Sequence, residues 1–177
     1  MRLRHSLLFL AMLSPGVSQS PRAPDIEAQR AAMKKLDFLL GKWSGEARVQ
    51  RGPGDALELI QTEEVQYKMD GLVLLVEGTG RNKSDGKTVF RALATGSYDD
   101  QTGTYRMRAY NDGRYMETEL ELADNGKGFT WGFQFGQIKT SYVMNLTEKG
   151  EWTEVGEVTM GAQPPRKFVE LTVRRQK

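Results

Sequence analysis

Phe129, Trp131, Phe133 and Phe135 occupy alternate positions of one short stretch, with Thr130, Gly132 and Gln134 between them. An extended chain sends alternate side chains to opposite faces, so the four rings fall on one side of a single strand. Flat rings offer a large apolar area with little rotamer freedom, and inside a β-barrel such a row either fills the core or lines a cavity. Tyr142 and Met144, on the next stretch, are expected beside them. These six residues form the candidate ligand-binding set. The ligand expected is a small, largely apolar, uncharged molecule, held with no cofactor and no metal.

Other chemistries are limited by what is missing. The chain contains no Cys, and its single His is His5. Beyond His5, zinc sites of Cys and His, Ser-His-Asp triads and Cys nucleophiles are excluded. An enzyme would have to work with carboxylates, Tyr, Lys or Arg, and no catalytic residue is assigned. Gly78-Thr79-Gly80 lacks the third glycine and the following helix of a phosphate loop. Asp99-Asp100 lies in a turn too short for a calcium loop of the EF-hand type.

His5 belongs to a segment with its own signature. Met1, Arg2, Leu3, Arg4 and His5 precede an apolar run from Leu7 to Leu13, and Pro15-Gly16-Val17-Ser18 follow. A basic start, a short apolar run and small residues read as a secretory leader covering 1–18, cleaved after Ser18. The run is too short to span a bilayer. The expected compartment is therefore periplasmic or extracellular. Two of the 25 basic residues, Arg2 and Arg4, lie in the leader, so the remaining 23 balance the 23 acids. The mature chain has no basic excess of the kind that binds nucleic acid.

Residues 19–35 read as a lead-in and the start of a helix, and 36–177 as one domain. Asp25 can cap the helix, and Ile26, Met33, Leu36 and Leu40 fall near one of its faces until Gly41 ends it. After Trp43 only strands and turns are legible. Turn residues recur at Gly52-Pro53-Gly54, Asp70-Gly71, Ser84-Asp85-Gly86, Asp112-Gly113, Asn125-Gly126, Lys149-Gly150 and Gln163-Pro164-Pro165. Their spacing predicts about ten antiparallel strands, an all-β barrel preceded by one helix.

Two hairpins can be counted out from their turns. Asp112-Gly113 pairs Asn111 with Arg114, which sets Arg108 against Glu117 and Arg106 against Glu119 on one face. Ala109–Met116, Met107–Thr118 and Tyr105–Leu120 then pair on the other. Asp70-Gly71 pairs Tyr67 with Leu74 and Val65 with Val76. It also sets Glu64 against Glu77, a like-charge pair that two solvated glutamates at a sheet surface accommodate. Val73 and Leu75 leave that strand apolar on both faces. The expected cover is the N-terminal helix or, in a homodimer, a second copy of the chain.

Leu36-Asp37-Phe38-Leu39-Leu40-Gly41-Lys42-Trp43-Ser44-Gly45 carries a resemblance. A helix leading into Gly-x-Trp on the first strand resembles the lipocalin and calycin barrels. Tyr98-Asp99-Asp100-Gln101-Thr102-Gly103-Thr104-Tyr105 and Val169 to Arg175 extend it to a mostly bacterial family of secreted domains of unknown function. The resemblance implies a structural pair, with an Arg of the last strand, Arg175 here, lying over the Trp43 ring. The chain is also similar in outline to nitrobindin-like barrels, whose haem is held by a His, and that feature does not carry over. Three functions follow as expectations: a carrier or sensor of a small apolar molecule, a structural or interaction module with a filled barrel, and a carboxylate-based enzyme.

Overall fold

The computed structural model describes residues 22–177. The leader and its cleavage point after Ser18 lie outside the described residues. Ten antiparallel strands close into one barrel, each paired with its sequence neighbours and β10 with β1. They are β1 (Gly41–Val49), β2 (Leu57–Lys68), β3 (Val73–Asn82), β4 (Thr88–Asp99), β5 (Thr104–Asn111), β6 (Arg114–Leu122), β7 (Gly128–Phe135), β8 (Ile138–Leu146), β9 (Glu151–Met160) and β10 (Arg166–Arg175). A helix, α1 (Ile26–Met33), and a 3-10 segment (Lys34–Leu39) precede them. The all-β barrel with one N-terminal helix is the architecture expected. None of the described helices is long and apolar enough to cross a membrane.

Both counted hairpins have the register derived from their turns. Asn111 pairs with Arg114, and Arg108 with Glu117. Asp112 and Gly113 both take positive φ, 46° and 82°, which lets a two-residue turn follow the strand twist. The ion pairs Arg106–Glu119 at 3.4 Å and Arg108–Glu117 at 3.5 Å lie on the outer face, where they fix register more than they add stability. Tyr67 pairs with Leu74 and Glu64 with Glu77, outside the barrel. Glu64 is partnered there by Lys42 at 3.7 Å.

The helix closes one end of the barrel. Asp25 caps α1 by accepting from the Ala28 N–H. Asp100, in the β4–β5 turn, accepts from the Asp25 N–H and from Gln29 Nε2. The carbonyls that the end of α1 leaves free are taken by the barrel: Tyr105 Oη donates to Ala32 O, and Tyr67 Oη to Met33 O. Met33, Leu36 and Leu39 are thereby fully buried against Trp43, Met144 and Val173. Burying side chains of that size contributes about 1.5–3 kcal/mol each, enough to hold a short helix that would not persist alone.

α1 sits across the barrel end and packs against β4. It does not lie along the outer face of β3, so the expectation that it covers Val73 and Leu75 is corrected. Both are half-buried among side chains of neighbouring strands, since Val73 lies between Lys68 and Ser97, and Leu75 between Gln66 and Thr95.

Candidate functional site

Strand parity divides the barrel into two unlike halves. At the helix end, inward side chains pack solidly. Trp43 and Trp152 meet edge to face at 5.7 Å. Trp43 Nε1 donates to Leu39 O at 2.7 Å. The Arg175 guanidinium lies 4.3 Å over the Trp43 ring, and its Nη2 donates to Phe38 O at 2.8 Å. This contact bolts the last strand to the first, with a cation over an aromatic face.

Toward the other end some inward side chains keep partial exposure, while Leu59, Gln61 and Thr140 are buried. The register places Gly78, Gly80, Ala92, Ala94, Gly96 and Ala109 inward on β3, β4 and β5, interspersed with the larger Val76, Phe90 and Met107. Across the barrel, β7 and β8 present Trp131, Phe133 and Tyr142. Glu63 fills the space beside Gly78, and Gln61, Leu59 and Phe90 that beside Gly80; the interior space faced by the partly exposed Trp131, Phe133 and Tyr142 is called the lumen. The inward rings of Trp131, Phe133 and Tyr142 retain partial exposure, as side chains facing such a space do.

The six candidate residues separate along this axis. Phe129 and Met144 are buried in the solid half, with Met144 paired to the inward Glu154. Trp131 and Tyr142 stack with ring centroids 3.8 Å apart and planes within 1° of parallel. Phe168 meets the Tyr142 ring edge to face at 5.5 Å. Phe133 lies one pair nearer the mouth, beside Thr140. Phe135 is 81 % exposed and lines no pocket. It is the last residue before the tight turn at Gly136, so no facing wall remains at that height.

The lumen also holds two carboxyls that the sequence reading passed over. Glu63, paired with Trp43 and Gly78, points inward from β2. Glu154, paired with Met144 and Leu171, points inward from β9. Both keep partial exposure yet lie deep within the barrel, so the space they face is the lumen. Gln61 Nε2 donates to Glu63 Oε1 at 2.7 Å. Burial pushes the Glu63 carboxyl up to about 7, against the Gln61 hydrogen bond, and the charge of Glu154 adds to the rise. Burial likewise pushes Glu154 up to about 7, while the indole N–H groups of Trp152 and Trp131 favour its charged form. Trp152 Nε1 is buried without an aligned acceptor, so its effect on Glu154 is that of a nearby dipole and not of a formed hydrogen bond.

Two glycines make room for these groups. A Cβ on Gly78 would stand 2.7 Å from Glu63 Oε2. A Cβ on Gly156 would stand 2.8 Å from the Tyr142 ring. The signal for the carboxyls was present in the sequence. Glu63 shares parity with Leu59, Val65 and Tyr67, and Glu154 with Trp152, Gly156 and Val158, so each interrupts an inward row.

Among the described residues, no group of three Asp, Glu, His or Cys side chains is placed to hold a metal ion. Two depressions occur on the outside, one over Ser44, Glu46, Ile60 and Arg174, the other beside Lys35, Tyr98 and Glu119. Neither includes an interior carboxyl, and both are open to bulk water.

The fold is a closed ten-stranded antiparallel barrel with two carboxyls turned into its interior. The crystal structure of Rv2717c from M. tuberculosis is similar, with a TM-score of 0.59 at 14 % identity, covering 82 % of this chain and 98 % of that one. At that identity the likeness is one of fold. No family model matches the chain. No curated protein matches it either.

Proposed function

We propose that the chain is an exported carrier or sensor of a small, largely apolar molecule bound in the open half of the barrel. The observation that carries this reading is the partial exposure that the inward rings of Trp131, Phe133 and Tyr142 keep inside a closed barrel, across from Ala92, Ala94 and Ala109. A protein interior normally fills to crystal-like density, and inward rings left partly exposed forgo that packing. An aromatic-lined concavity with a few polar groups is the usual form of a small-molecule site. Phe135, Ile138 and Met160, exposed at the mouth, give an apolar ligand a matching entrance. Export rests on the leader read at residues 1–18.

Titration of the intrinsic tryptophan fluorescence with a panel of fatty alcohols, isoprenoids and aromatic probes tests the reading. Saturable binding at micromolar concentration, weakened by Trp131→Ala, is the expected result. An unchanged signal across the panel, with an interior found filled by side chains, would leave the interaction-module reading.

A second reading has one specific observation behind it. Carboxyls with pKa values of about 7 are matched to proton transfer at neutral pH. Incubating a bound ligand in deuterated water distinguishes the two. Recovery of unchanged ligand supports a carrier, and deuterium incorporation lost in Glu154→Gln supports an enzyme.

A further inference from the structure

The two interior glutamates lack the partner that buried carboxylates ordinarily have. The carboxylates of the ion pairs seen among the described residues, such as Lys42–Glu64 and Arg48–Glu58, lie on the outer face. Among the inward-facing residues of these strands the one cation is Arg175, in the row Glu63–Trp43–Arg175, and it is taken up by the Trp43 ring and by Phe38 O. From β2 the polar neighbour is Gln61, β3 offers Gly78, and β10 offers Leu171 and Val173. β7 and β8 offer Trp131 and Tyr142, whose hydroxyl is held neutral by burial and by Glu154.

The groups that are present favour ionised carboxylates. Gln61 donates to Glu63. Two indole N–H groups, from Trp152 and Trp131, bear on Glu154. Trp152 Nε1 is buried, has no acceptor of its own, and would be satisfied by a charged Glu154 oxygen turned toward it. Donors are in place around both carboxyls, and among the described residues neither carboxyl forms an ion pair. A buried carboxylate without one is strongly disfavoured.

We propose that the inner end of the lumen is a subsite for the protonated amine of an otherwise apolar ligand, held between Glu63 and Glu154 beside the Trp131–Tyr142 stack. This rests on the lumen being a small-molecule site and revises the expectation of an uncharged ligand. The chemistry of the pocket suits an alkylammonium. Two carboxylates accept its N–H groups, and aromatic faces attract the cation and its carbon skeleton. A divalent metal fits less well, because among the described residues no third carboxylate, His or Cys stands beside the two carboxyls. The ligand would complete the charge balance that the chain itself leaves open.

Isothermal titration of the folded protein with matched probes tests this. Benzyl, indolylethyl and octyl skeletons would each be offered as the amine, the alcohol and the carboxylate, alongside Ca²⁺ and Mg²⁺ alone. The amine should bind at least about tenfold more tightly than its alcohol, and the carboxylate more weakly than either. Because both glutamates sit near half-protonation at neutral pH, amine binding should release on the order of one proton per ligand at pH 7. That release is read by repeating the titration in buffers of different ionisation enthalpy. Glu154→Gln should remove most of the amine preference while keeping the alcohol affinity. Should that variant fold poorly, the proton release of the unmodified protein decides alone. Amines and alcohols binding equally, with no proton released, would overturn the cation subsite and leave the lumen site standing. Metal binding without amine binding would overturn it as well. No binding by any probe would overturn both readings together.

Discussion

Replacing Glu154 by Gln isolates the cost of holding a carboxyl inside the barrel. The folded-state value is raised from 4.5 to about 7, mainly by burial. Below pH 4.5 the group is protonated in both states and imposes no charge penalty. Between 4.5 and 7 the unfolded chain loses the proton first, so the unfolded state binds fewer protons and stability falls as pH rises. Above 7 the penalty is constant. The interval multiplied by the free energy per pKa unit gives about 3 kcal/mol. Glutamine keeps the shape and can still accept from the indole N–H groups, but carries no charge. Urea denaturation of both proteins at pH 4, 5.5, 7 and 8.5 measures the difference, in which groups not coupled to Glu154 cancel and Glu63, relieved of the Glu154 charge, shifts stability in the same direction. The variant should be within about 1 kcal/mol of the parent at pH 4 and about 3 kcal/mol more stable at pH 8.5. A difference that stays flat with pH, or that favours the parent as pH rises, would refute the placement of Glu154 inside the lumen.

Other substitutions probe the two halves of the barrel. Arg175→Lys should cost about 1–2 kcal/mol, because the stacked guanidinium and its bond to Phe38 O are lost. Arg174→Lys should stay within about 0.5 kcal/mol, since its side chain is mostly exposed beside Glu151; chemical denaturation ranks the two. Phe129→Ala, in the solid half, should cost about 3–5 kcal/mol, while Phe133→Ala should cost roughly half as much, because that ring already borders open space. Met33→Ala should lower stability by about 2–5 kcal/mol by leaving a cavity under the closed end. Equal losses for the two phenylalanines in a thermal melt would mean that the upper half is packed as tightly as the lower.

The barrel and its register were legible because turn chemistry and strand alternation are local. Asp112-Gly113 fixes its hairpin by the backbone it permits, and every pair down to Tyr105–Leu120 follows by counting. The lid was legible in type, and its final turns tighten to 3-10 geometry where Trp43, Tyr67 and Tyr105 take the helix-end carbonyls. Those bonds depend on strands distant in sequence. The row of rings on β7 was read on the correct face, but its division into core, lumen and exposed tip depends on height within the barrel, which alternation does not encode. Glu64 and Glu77 drew notice as a facing like-charge pair, yet they point outward. Glu63 and Glu154, about 90 residues apart, face one interior only once the sheet closes. Charged residues are also rarely buried, so parity alone had to outweigh their composition.

Native mass spectrometry of the protein purified from the cells that make it bears most directly on the central claim of a small-molecule site in the open half of the barrel. The account predicts a folded species heavier than the chain by one small molecule. The added mass should be released on unfolding and absent when Trp131 and Tyr142 are both replaced by Ala. A folded chain carrying no added mass, together with an interior in which Trp131, Phe133 and Tyr142 are closed over by side chains, would contradict it.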